Sequence, residues 1–532
     1  MRRAAALLAL AALPVAVLAV FFVLPVSGMV SRGFSDGIGP VLDVLGRPRT
    51  HRVLWFTVWS AGTATALSVV LGLPAAYALH RLSWPGSRVV RAALLVPFVL
   101  PTVVVGVAFR ELLGEAGPLG FLGLDGTAAG IVAGLVFFNV AVVIRTVGAA
   151  WESLDPRAGE AAAALGAGPA TVFRTVTLPA LRPAIVSAAT VVFLFCATGF
   201  GVVLTMGGLR YSSVETEIYL LTTNLLDLQA AAALSILQLV VVTLLLTAAA
   251  RVRVPAVVRR SVPRPRRPRR QDVPVLVATA VLLALVAAPL VTLLVGSLRA
   301  QGHWSLANYR ALGTPGTALL VPVTTALATS LRTAFDATWM ALLLGGLVAV
   351  VVTRRSHGST ERRVRGVLDG FFMLPLGVSA VTLGFGFLIT LGSFRENPLL
   401  VPIAQALVAL PLVVRTLVPV LGGVDDRLRQ AAASLGAGPL RQFLTVDLPV
   451  VWKPLLAAAG FAFTVSLGEF GATSFLARDE SPTVPVVIFR LIGHPGAMNY
   501  GMALAASVVL AAATAVVMLL VERLRVPSIG AF

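Results

Sequence analysis

The sequence has few of the side chains that carry most enzyme chemistry. Its one cysteine, Cys196, cannot form an internal disulfide and lies in an apolar run, where the role of a small buried hydrophobic residue is the simpler interpretation. The five histidines are scattered and give no zinc-ligand spacing with that cysteine. The only lysine, Lys453, is followed by Pro454, so the chain lacks the Gly-Lys-Ser/Thr sequence of a phosphate-binding Walker A loop. We therefore predict no catalytic residue, no metal and no cofactor.

Charge is also scarce. Charged residues make up 12% of the chain, against about 25% in an average soluble domain. A membrane-spanning helix needs about 20 apolar residues, and runs of this kind recur along the whole sequence. They predict an all-α polytopic membrane protein with about 12 transmembrane helices, near residues 4–30, 53–79, 92–109, 128–150, 183–206, 228–250, 273–298, 326–352, 367–392, 399–422, 455–476 and 501–521.

The net charge of +19 could indicate a nucleic-acid partner, so the distribution of the arginines decides between the two interpretations. With the N-terminus placed inside the cell, most of the 42 basic residues fall in the predicted cytoplasmic segments. This asymmetry follows the positive-inside rule. We therefore predict that both termini are cytoplasmic, that membrane lipid surrounds the chain, and that nucleic acid is not a partner.

One polar stretch occurs twice at an offset of 270 residues, and 17 of the 35 aligned pairs from Arg145/Arg415 to Pro179/Pro449 are identical. Each copy begins with an alanine-rich segment that favours a short helix. Gly166 and Gly436 follow that segment, where glycine tolerates the left-handed conformation that ends a helix. Pro169 and Pro439 suit the first turn of a second helix. The pattern predicts a helix–turn–helix hairpin in each half of the chain.

The duplication also predicts the domain organisation. Residues 1–250 form a first half with the repeated stretch at 151–180, and residues 273–532 form a second half with its copy at 423–450. Residues 251–272 are a basic linker rich in proline, which keeps a chain extended, and in arginine, which is attracted to anionic lipid. Six predicted spans separate the two copies, so the halves share one orientation and form a parallel repeat.

The repeated stretch resembles the "EAA" signature of permease subunits of binding-protein-dependent ABC importers, with the spacing E-A-A-x3-G-x9-[I/V]-x-L-P. The second copy departs from it with Gln430 in place of Glu, and both copies have Val where Ile is usual. The resemblance implies that these residues form a coupling helix that docks on an ATP-hydrolysing subunit: Glu160, Ala161, Ala162, Gly166, Gly168, Leu178, Pro179, Gln430, Ala431, Ala432, Gly436, Gly438, Leu448 and Pro449.

The same resemblance implies partners and a location. The expected partners are ABC ATPase subunits, as a homodimer, on the cytoplasmic face, and an extracytoplasmic solute-binding protein. The expected location is the inner membrane of a bacterial cell. The stretches 195–219 and 482–489 look most like thiamine permeases, within a group that also includes ferric-iron importers. Permeases for polyamines, phosphate esters or molybdate remain alternatives.

A further site is predicted where the second half carries a carboxylate at membrane depth. Glu469 would cost about 2.5–3.5 kcal/mol at the bilayer centre, so it should face the helix bundle or water. Two alternatives stay open: Glu469 lies on the substrate path, or it makes a hydrogen bond or ion pair that joins two helices. The path would also include Phe470 and the corresponding residues Gly199, Phe200 and Gly201.

Two other classes of function were weighed against a permease driven by a partner ATPase. A secondary transporter usually lines its path with several titratable groups, and only Arg332, Asp336 and Glu469 lie at membrane depth. A membrane enzyme needs a nucleophile or a metal cluster, and the sequence shows neither. The duplicated signature favours the ATP-driven permease.

Overall fold

The computed structural model describes residues 2–208, 210–251, 265–354 and 358–523, and nearly all of them are helical. The helices of the first half of the sequence are α1 (Arg2–Leu18), α2 (Leu24–Gly33), α3 (Gly39–Gly46), α4 (Pro48–His80), α5 (Ser87–Ala93), α6 (Leu95–Val99), α7 (Thr102–Leu113), α8 (Ala128–Ser153), α9 (Arg157–Ala164), α10 (Pro169–Val172), α11 (Leu178–Ala197), α12 (Gly201–Gly207), α13 (Val214–Thr223) and α14 (Leu228–Arg251).

The second half begins with α15 (Val273–Ser297) and two short antiparallel strands, β1 (Arg299–Ala300) and β2 (His303–Trp304). The remaining helices are α16 (Ala307–Ala311), α17 (Val323–Thr353), α18 (Ser359–Met373), α19 (Ala380–Thr390), α20 (Leu400–Gly422), α21 (Asp426–Ser434), α22 (Pro439–Gln442), α23 (Leu448–Leu467), α24 (Thr473–Leu476), α25 (Val484–Gly493) and α26 (Ala497–Arg523). Three π-helical segments join consecutive helices, at Ala19–Val23, Phe173–Thr177 and Phe443–Asp447.

The described residues contain ten helices long and apolar enough to cross a membrane, or 11 if one sharply bent pair is a single span. The predicted class, an all-α polytopic membrane protein, is confirmed. Two of the predicted continuous spans, 92–109 and 367–392, are wrong, because the chain breaks within both. These breaks fall at corresponding places in the two halves of the sequence.

Local sequence explains both breaks, through a proline in the first half and a serine cap in the second. In the first half, Val89–Val99 and Thr102–Leu113 meet at an angle of 102°. Leu100, which precedes Pro101, is extended with a ψ of 139°, as expected for a residue before proline. In the second half, α18 gives way to a short turn at Leu374–Gly377, and Ser379 then caps the new helix by accepting a hydrogen bond from the Thr382 N–H.

The chain packs as two compact units, and each is built on three long helices. The first unit has its described residues in 2–46, 217–239 and 305–523, and α17, α20 and α23 form its centre. Small buried side chains allow close packing there. Gly345, for example, leaves room for Val413, because a Cβ on this glycine would lie 2.6 Å from a Val413 methyl group. The first helix of the chain, α1, packs against α17 in this unit.

The second unit has its described residues in 47–216 and 240–304, and α4, α8 and α11 form its centre. Gly72 leaves room for Val143 in the same way, with 2.8 Å between a Cβ on the glycine and a Val143 methyl group. The first helix of the second sequence half, α15, packs against α4 and α7 in this unit. These two units are defined by how the helices pack. The predicted halves, residues 1–250 and 273–532, are defined by the sequence repeat, and their boundaries stay a prediction.

Only the last residues of the predicted linker belong to the described structure, since residues 252–264 lie outside it. Arg266 exchanges backbone hydrogen bonds with Arg81 and Ser83. Its side chain forms a salt bridge of 2.7 Å with Asp272 and also donates to the Tyr77 hydroxyl, and the Asp272 partner raises the pKa of Arg266. This end of the linker is therefore anchored to the end of α4 before α15 begins.

Candidate functional site

The first copy of the repeated stretch forms the predicted hairpin, defined here as the first hairpin (residues 157–177). Helix α9 ends at Ala164, Leu165 is its C-cap, and the next residue, Gly166, takes a φ of +88°. The N–H of Ala167 donates to the carbonyl of Ala162 at 3.1 Å, and the Gly166 N–H donates to Ala163 at 3.0 Å. This pair of bonds is a Schellman cap, in which a left-handed residue ends the helix. The predicted roles of the glycine and of proline at the start of α10 are confirmed.

The second copy, the second hairpin (residues 426–447), has the same geometry. Gly436 takes a φ of +79°, and the Ala437 N–H donates to the carbonyl of Ala432 at 3.0 Å. At the other end of α21 the Asp425 side chain accepts a hydrogen bond from the Arg427 N–H. Two sequences that differ at many positions thus adopt one backbone conformation, because the glycine, the proline and the helix-favouring alanines recur at the same places.

Each hairpin presents a leucine to the surroundings at its turn. The side chains of Leu165 and Leu435 are 90% and 87% exposed, and each precedes the glycine with positive φ. Among the described large apolar residues that are exposed, these two have the highest exposed fractions. Among the predicted coupling residues, Ala162, Ala432, Leu178 and Leu448 are half-buried, and the exposed ones are Glu160, Ala161, Gly166, Gly168, Pro179, Gln430, Ala431, Gly436, Gly438 and Pro449.

Neither hairpin is separated from the membrane helices by a loop. The segments Phe173–Thr177 and Phe443–Asp447 are π-helical and lead directly into α11 and α23. Leu178-Pro179 and Leu448-Pro449 follow these segments as the first residues of α11 and α23. Proline has no N–H for the helical hydrogen-bond ladder, and local π-helical adjustments accommodate such an interruption in membrane helices. A displacement of either hairpin is therefore passed to a membrane-spanning helix without an intervening flexible link.

The second hairpin is held at its base by a buried ion network that the sequence did not reveal. Asp447 has a fully buried carboxylate, which accepts hydrogen bonds from Arg354 at 2.9 Å and from Nε of Arg429 at 2.8 Å. Arg429 also pairs with Asp426 at 2.8 Å and donates to the carbonyl of Leu421. The network joins the end of α17, helix α21 of the second hairpin and the start of α23.

The first hairpin lacks the residues for this network. Thr177 and Gly159 stand at the positions of Asp447 and Arg429, so the same ion pairs cannot form. The neighbouring end of α8 is instead held by Glu152, whose carboxylate lies 2.9 Å from His80 Nδ1 and 2.9 Å from Arg91. The two hairpins therefore share a backbone conformation but have different supports.

The residues predicted for the translocation path lie at breaks that follow α11 and α23. The predicted spans 183–206 and 455–476 are wrong in extent, because these helices end at Ala197 and Leu467. After each break a glycine approaches the start of another helix within the same unit. A Cβ on Gly201 would lie 2.9 Å from the Val103 nitrogen, and one on Gly471 would lie 3.1 Å from the Val381 nitrogen. Only glycine allows these backbones to approach so closely.

Glu469 lies in the second break rather than within a membrane helix. Its carboxylate accepts hydrogen bonds from the backbone N–H groups of Ala472 at 2.7 Å and Thr473 at 3.0 Å, and the residue is 6% exposed. These bonds satisfy N–H groups at the start of α24, so the hydrogen bonds described for this carboxylate join residues close together in sequence. Phe470 is buried, with its ring centre 5.5 Å from that of Phe489. Placement of these residues on the substrate path, together with Gly199, Phe200 and Gly201, stays a prediction.

Membrane-spanning helices with one such hairpin in each half fit the class of transport permease subunits, and the family match assigns the chain to that class. The sequence matches a family model described as binding-protein-dependent transport system inner membrane component, over residues 68–260 and 341–525. The chain belongs to this family. Each matched segment contains one hairpin, so a single polypeptide carries two permease repeats.

The chain is similar to curated permeases over most of its length. The thiamine transport system permease protein of Brucella abortus (strain 2308) is 28% identical over 465 residues, which are 83% of this chain and 82% of that protein. The protein of the same description from Escherichia coli (strain K12) is 28% identical over 468 residues, 83% of each chain. The molybdenum transport system permease protein of Mycobacterium tuberculosis (strain ATCC 25618 / H37Rv) is 37% identical over 218 residues, 37% of this chain and 77% of that protein.

Proposed function

We propose that this chain forms the translocation path of an ATP-driven importer for thiamine, and that separate partner chains hydrolyse the ATP. The observation that carries the proposal is the pair of hairpins with exposed leucines, one in each family repeat and each continuous with a membrane helix. Thiamine is favoured because relatives named as thiamine permeases align with 83% of the chain. The molybdenum permease aligns with less than half of it.

The hairpins support ATPase subunits as the cytoplasmic partner. Leu165 and Leu435 are apolar anchors on otherwise polar turns, and a leucine that enters a partner pocket contributes about 1.5–3 kcal/mol. Since both repeats present the same backbone and the same residue, two equivalent clefts would fit them. A homodimer of one ATPase provides two such clefts.

On the opposite face we propose a solute-binding protein that docks on the outer segments 207–227 and 477–500. The positive-inside distribution of arginine supports this orientation and supports cytoplasmic termini. Residues 524–532, which include the C-terminus, lie outside the described structure. In the proposed cycle, closure of the ATPase dimer moves the two hairpins together, and the attached helices α11 and α23 open the path outward.

Measuring which ligand stimulates ATP hydrolysis tests which solute the importer carries. The full chain, copurified with its ATPase and binding protein and reconstituted in nanodiscs, should hydrolyse ATP several-fold faster when loaded binding protein presents thiamine. Molybdate, ferric iron and polyamines should leave the basal rate unchanged. Stimulation by molybdate or ferric iron and not by thiamine would replace the proposed substrate while leaving the permease function intact.

Substitutions that strain the backbone at the two hairpin turns test the coupling role. Valine at Gly166 and Gly436 together should reduce uptake about tenfold or more, because a left-handed β-branched residue costs at least 1–2 kcal/mol. No atom of the described residues lies within 4 Å of a Cβ at either glycine, so the effect would come from the backbone and not from a clash.

The control for this pair is valine at Gly62 and Gly346, which lie within α4 and α17 and also have open space around a Cβ. Both variants should insert into the membrane at wild-type levels, as measured by quantitative immunoblots of the membrane fraction. Uptake of radiolabelled substrate should fall only in the hairpin variant. Wild-type uptake in that variant would contradict the coupling role.

A further inference from the structure

A cavity of about 330 Å³ lies at the start of α4, within the second unit. Its polar wall is formed by the side chains of Arg49, Arg52 and Arg210. Among the described residues that line it there is no aspartate or glutamate. Of these, Arg52 and Arg210 are exposed and carry two positive charges at the cavity, which favour an anionic ligand.

The remaining wall is aromatic. Phe56, Trp59 and Tyr211 line it, and the Phe56 ring centre lies 5.3 Å from that of Tyr211 and 6.3 Å from that of Trp59. Arg49, Arg52, Phe56 and Trp59 recur at intervals of three and four residues, so they lie on one face of α4. Along this face the guanidinium groups come first and the aromatic rings follow one to two turns later.

The position of the cavity along α4 corresponds to the surface of a bilayer. The helix has 33 residues and is therefore about 50 Å long, whereas the hydrocarbon core is about 30 Å thick. Its far end, at His80, contacts Glu152 beside the first hairpin. The cavity lies at the end of α4 remote from the hairpin, and the charged side chains of its first turns favour the headgroup layer over the hydrocarbon.

Exposed apolar side chains continue from the cavity along α4. Trp55 is 69% exposed, Val58 is 55% exposed and Trp59 is 39% exposed. Tryptophan is enriched at the depth where hydrocarbon meets headgroups. A ligand with a negative group and an attached hydrocarbon chain would satisfy both the arginines and this apolar strip. An acidic loop of a protein would satisfy only the arginines.

We propose that this cavity binds the phosphate headgroup of an anionic phospholipid in the leaflet opposite the hairpins, with an acyl chain along Trp55 and Trp59. The lipid would fix the outer end of α4, the helix that packs against α8, α11 and α15 in this unit. The site is independent of which solute is carried.

Native mass spectrometry of the full chain in detergent tests the site, with phosphatidylglycerol and phosphatidylcholine offered together. The wild type should retain phosphatidylglycerol preferentially. The variant R52Q/R210Q should bind it about 30-fold more weakly, since each arginine near a lipid surface contributes roughly fivefold. The matched control R32Q/R310Q removes two exposed arginines elsewhere and should keep the preference, and R52K/R210K should keep most of it.

A second measurement separates the lipid from other anions. Phosphatidylglycerol with brominated acyl chains should quench tryptophan emission in the wild type, and much less in W55F/W59F. Inorganic phosphate and free glycerophosphoglycerol should not displace the lipid at millimolar concentrations. Unchanged phosphatidylglycerol preference in R52Q/R210Q would overturn the proposal. The proposal would also be overturned if R52Q/R210Q kept its lipid preference but no longer bound the binding protein. That result would mean that the arginines contact an acidic protein surface.

Discussion

Glutamate at both Leu165 and Leu435 should abolish copurification of the chain with its ATPase and reduce uptake to background. Each leucine is almost fully exposed at the turn of its hairpin. If both enter pockets of the partner, each substitution removes about 1.5–3 kcal/mol of apolar burial and adds the cost of desolvating a carboxylate. The combined loss corresponds to more than a thousandfold weaker binding.

The control for this variant is glutamate at Phe121 and Leu320, which are 81% and 71% exposed in segments predicted to face outward. This variant also adds two charges at exposed apolar positions, and it should copurify normally. Both proteins should show the same membrane level and the same melting temperature. A Leu165/Leu435 variant that retains its ATPase would show that the hairpin turns are not the docking surface.

The single substitutions also address whether the hairpins contribute equally. Glu160 in the first copy is replaced by Gln430 in the second, yet the turn, the cap and the exposed leucine are the same in both. If docking depends chiefly on the leucine, then Leu165→Glu and Leu435→Glu should each weaken the ATPase complex to a similar extent. Titration of the purified permease with the ATPase would measure this.

The hairpins could be predicted from sequence because their geometry depends on local chemistry. A glycine with positive φ ends α9 or α21, and a proline begins the next helix four residues after Leu165 or Leu435. Both signals lie within ten residues of one another, and both occur twice. The hydropathy pattern likewise predicted most of the membrane helices, since it depends on length and composition.

Hydropathy does not predict the breaks in the membrane helices, because an apolar run shows that a segment suits the membrane but not where its backbone turns. Residues 92–109 and 367–392 are apolar enough to span a bilayer, but Pro101 and Ser379 end one helix and begin another. The position of Glu469 was misjudged for the same reason. Its run of apolar neighbours suggested the interior of a helix, whereas the helix ends at Leu467 and the carboxylate accepts a hydrogen bond at the start of the next one.

The ion network of the second hairpin could not be predicted, because its members are distant in sequence. Asp447 lies 93 residues from Arg354, and no local pattern in the sequence brings the two side chains together. One sequence signal was present: an acidic residue directly before Leu448-Pro449, where the first copy has Thr177. When two repeats differ at a position next to a shared motif, the difference can thus indicate stabilising contacts that only one repeat makes.

Alanine at Asp447 should destabilise the unit that contains the second hairpin by about 3–5 kcal/mol. The carboxylate is fully buried and pairs with Arg354 and Arg429, and Arg429 is itself only 11% exposed. Removing one member of a buried ion pair leaves the partner charge without compensation, and this cost exceeds the net stabilisation by the pair. The full chain purified in detergent should therefore melt about 5–10 °C lower in a thermal shift assay.

The matched control is Thr177→Ala, the corresponding change in the first hairpin. Thr177 is half-buried and has no part in such a network, so this substitution should shift the melting temperature by no more than about 1–2 °C. Asp447→Asn, which preserves shape but not charge, should resemble Asp447→Ala. Equal melting temperatures for the Asp447 and Thr177 variants would contradict the assigned network. A large difference between their melting temperatures would mean that the two hairpins, alike in backbone, are held by different interactions. The second hairpin would then be the more rigidly bound to its membrane helices.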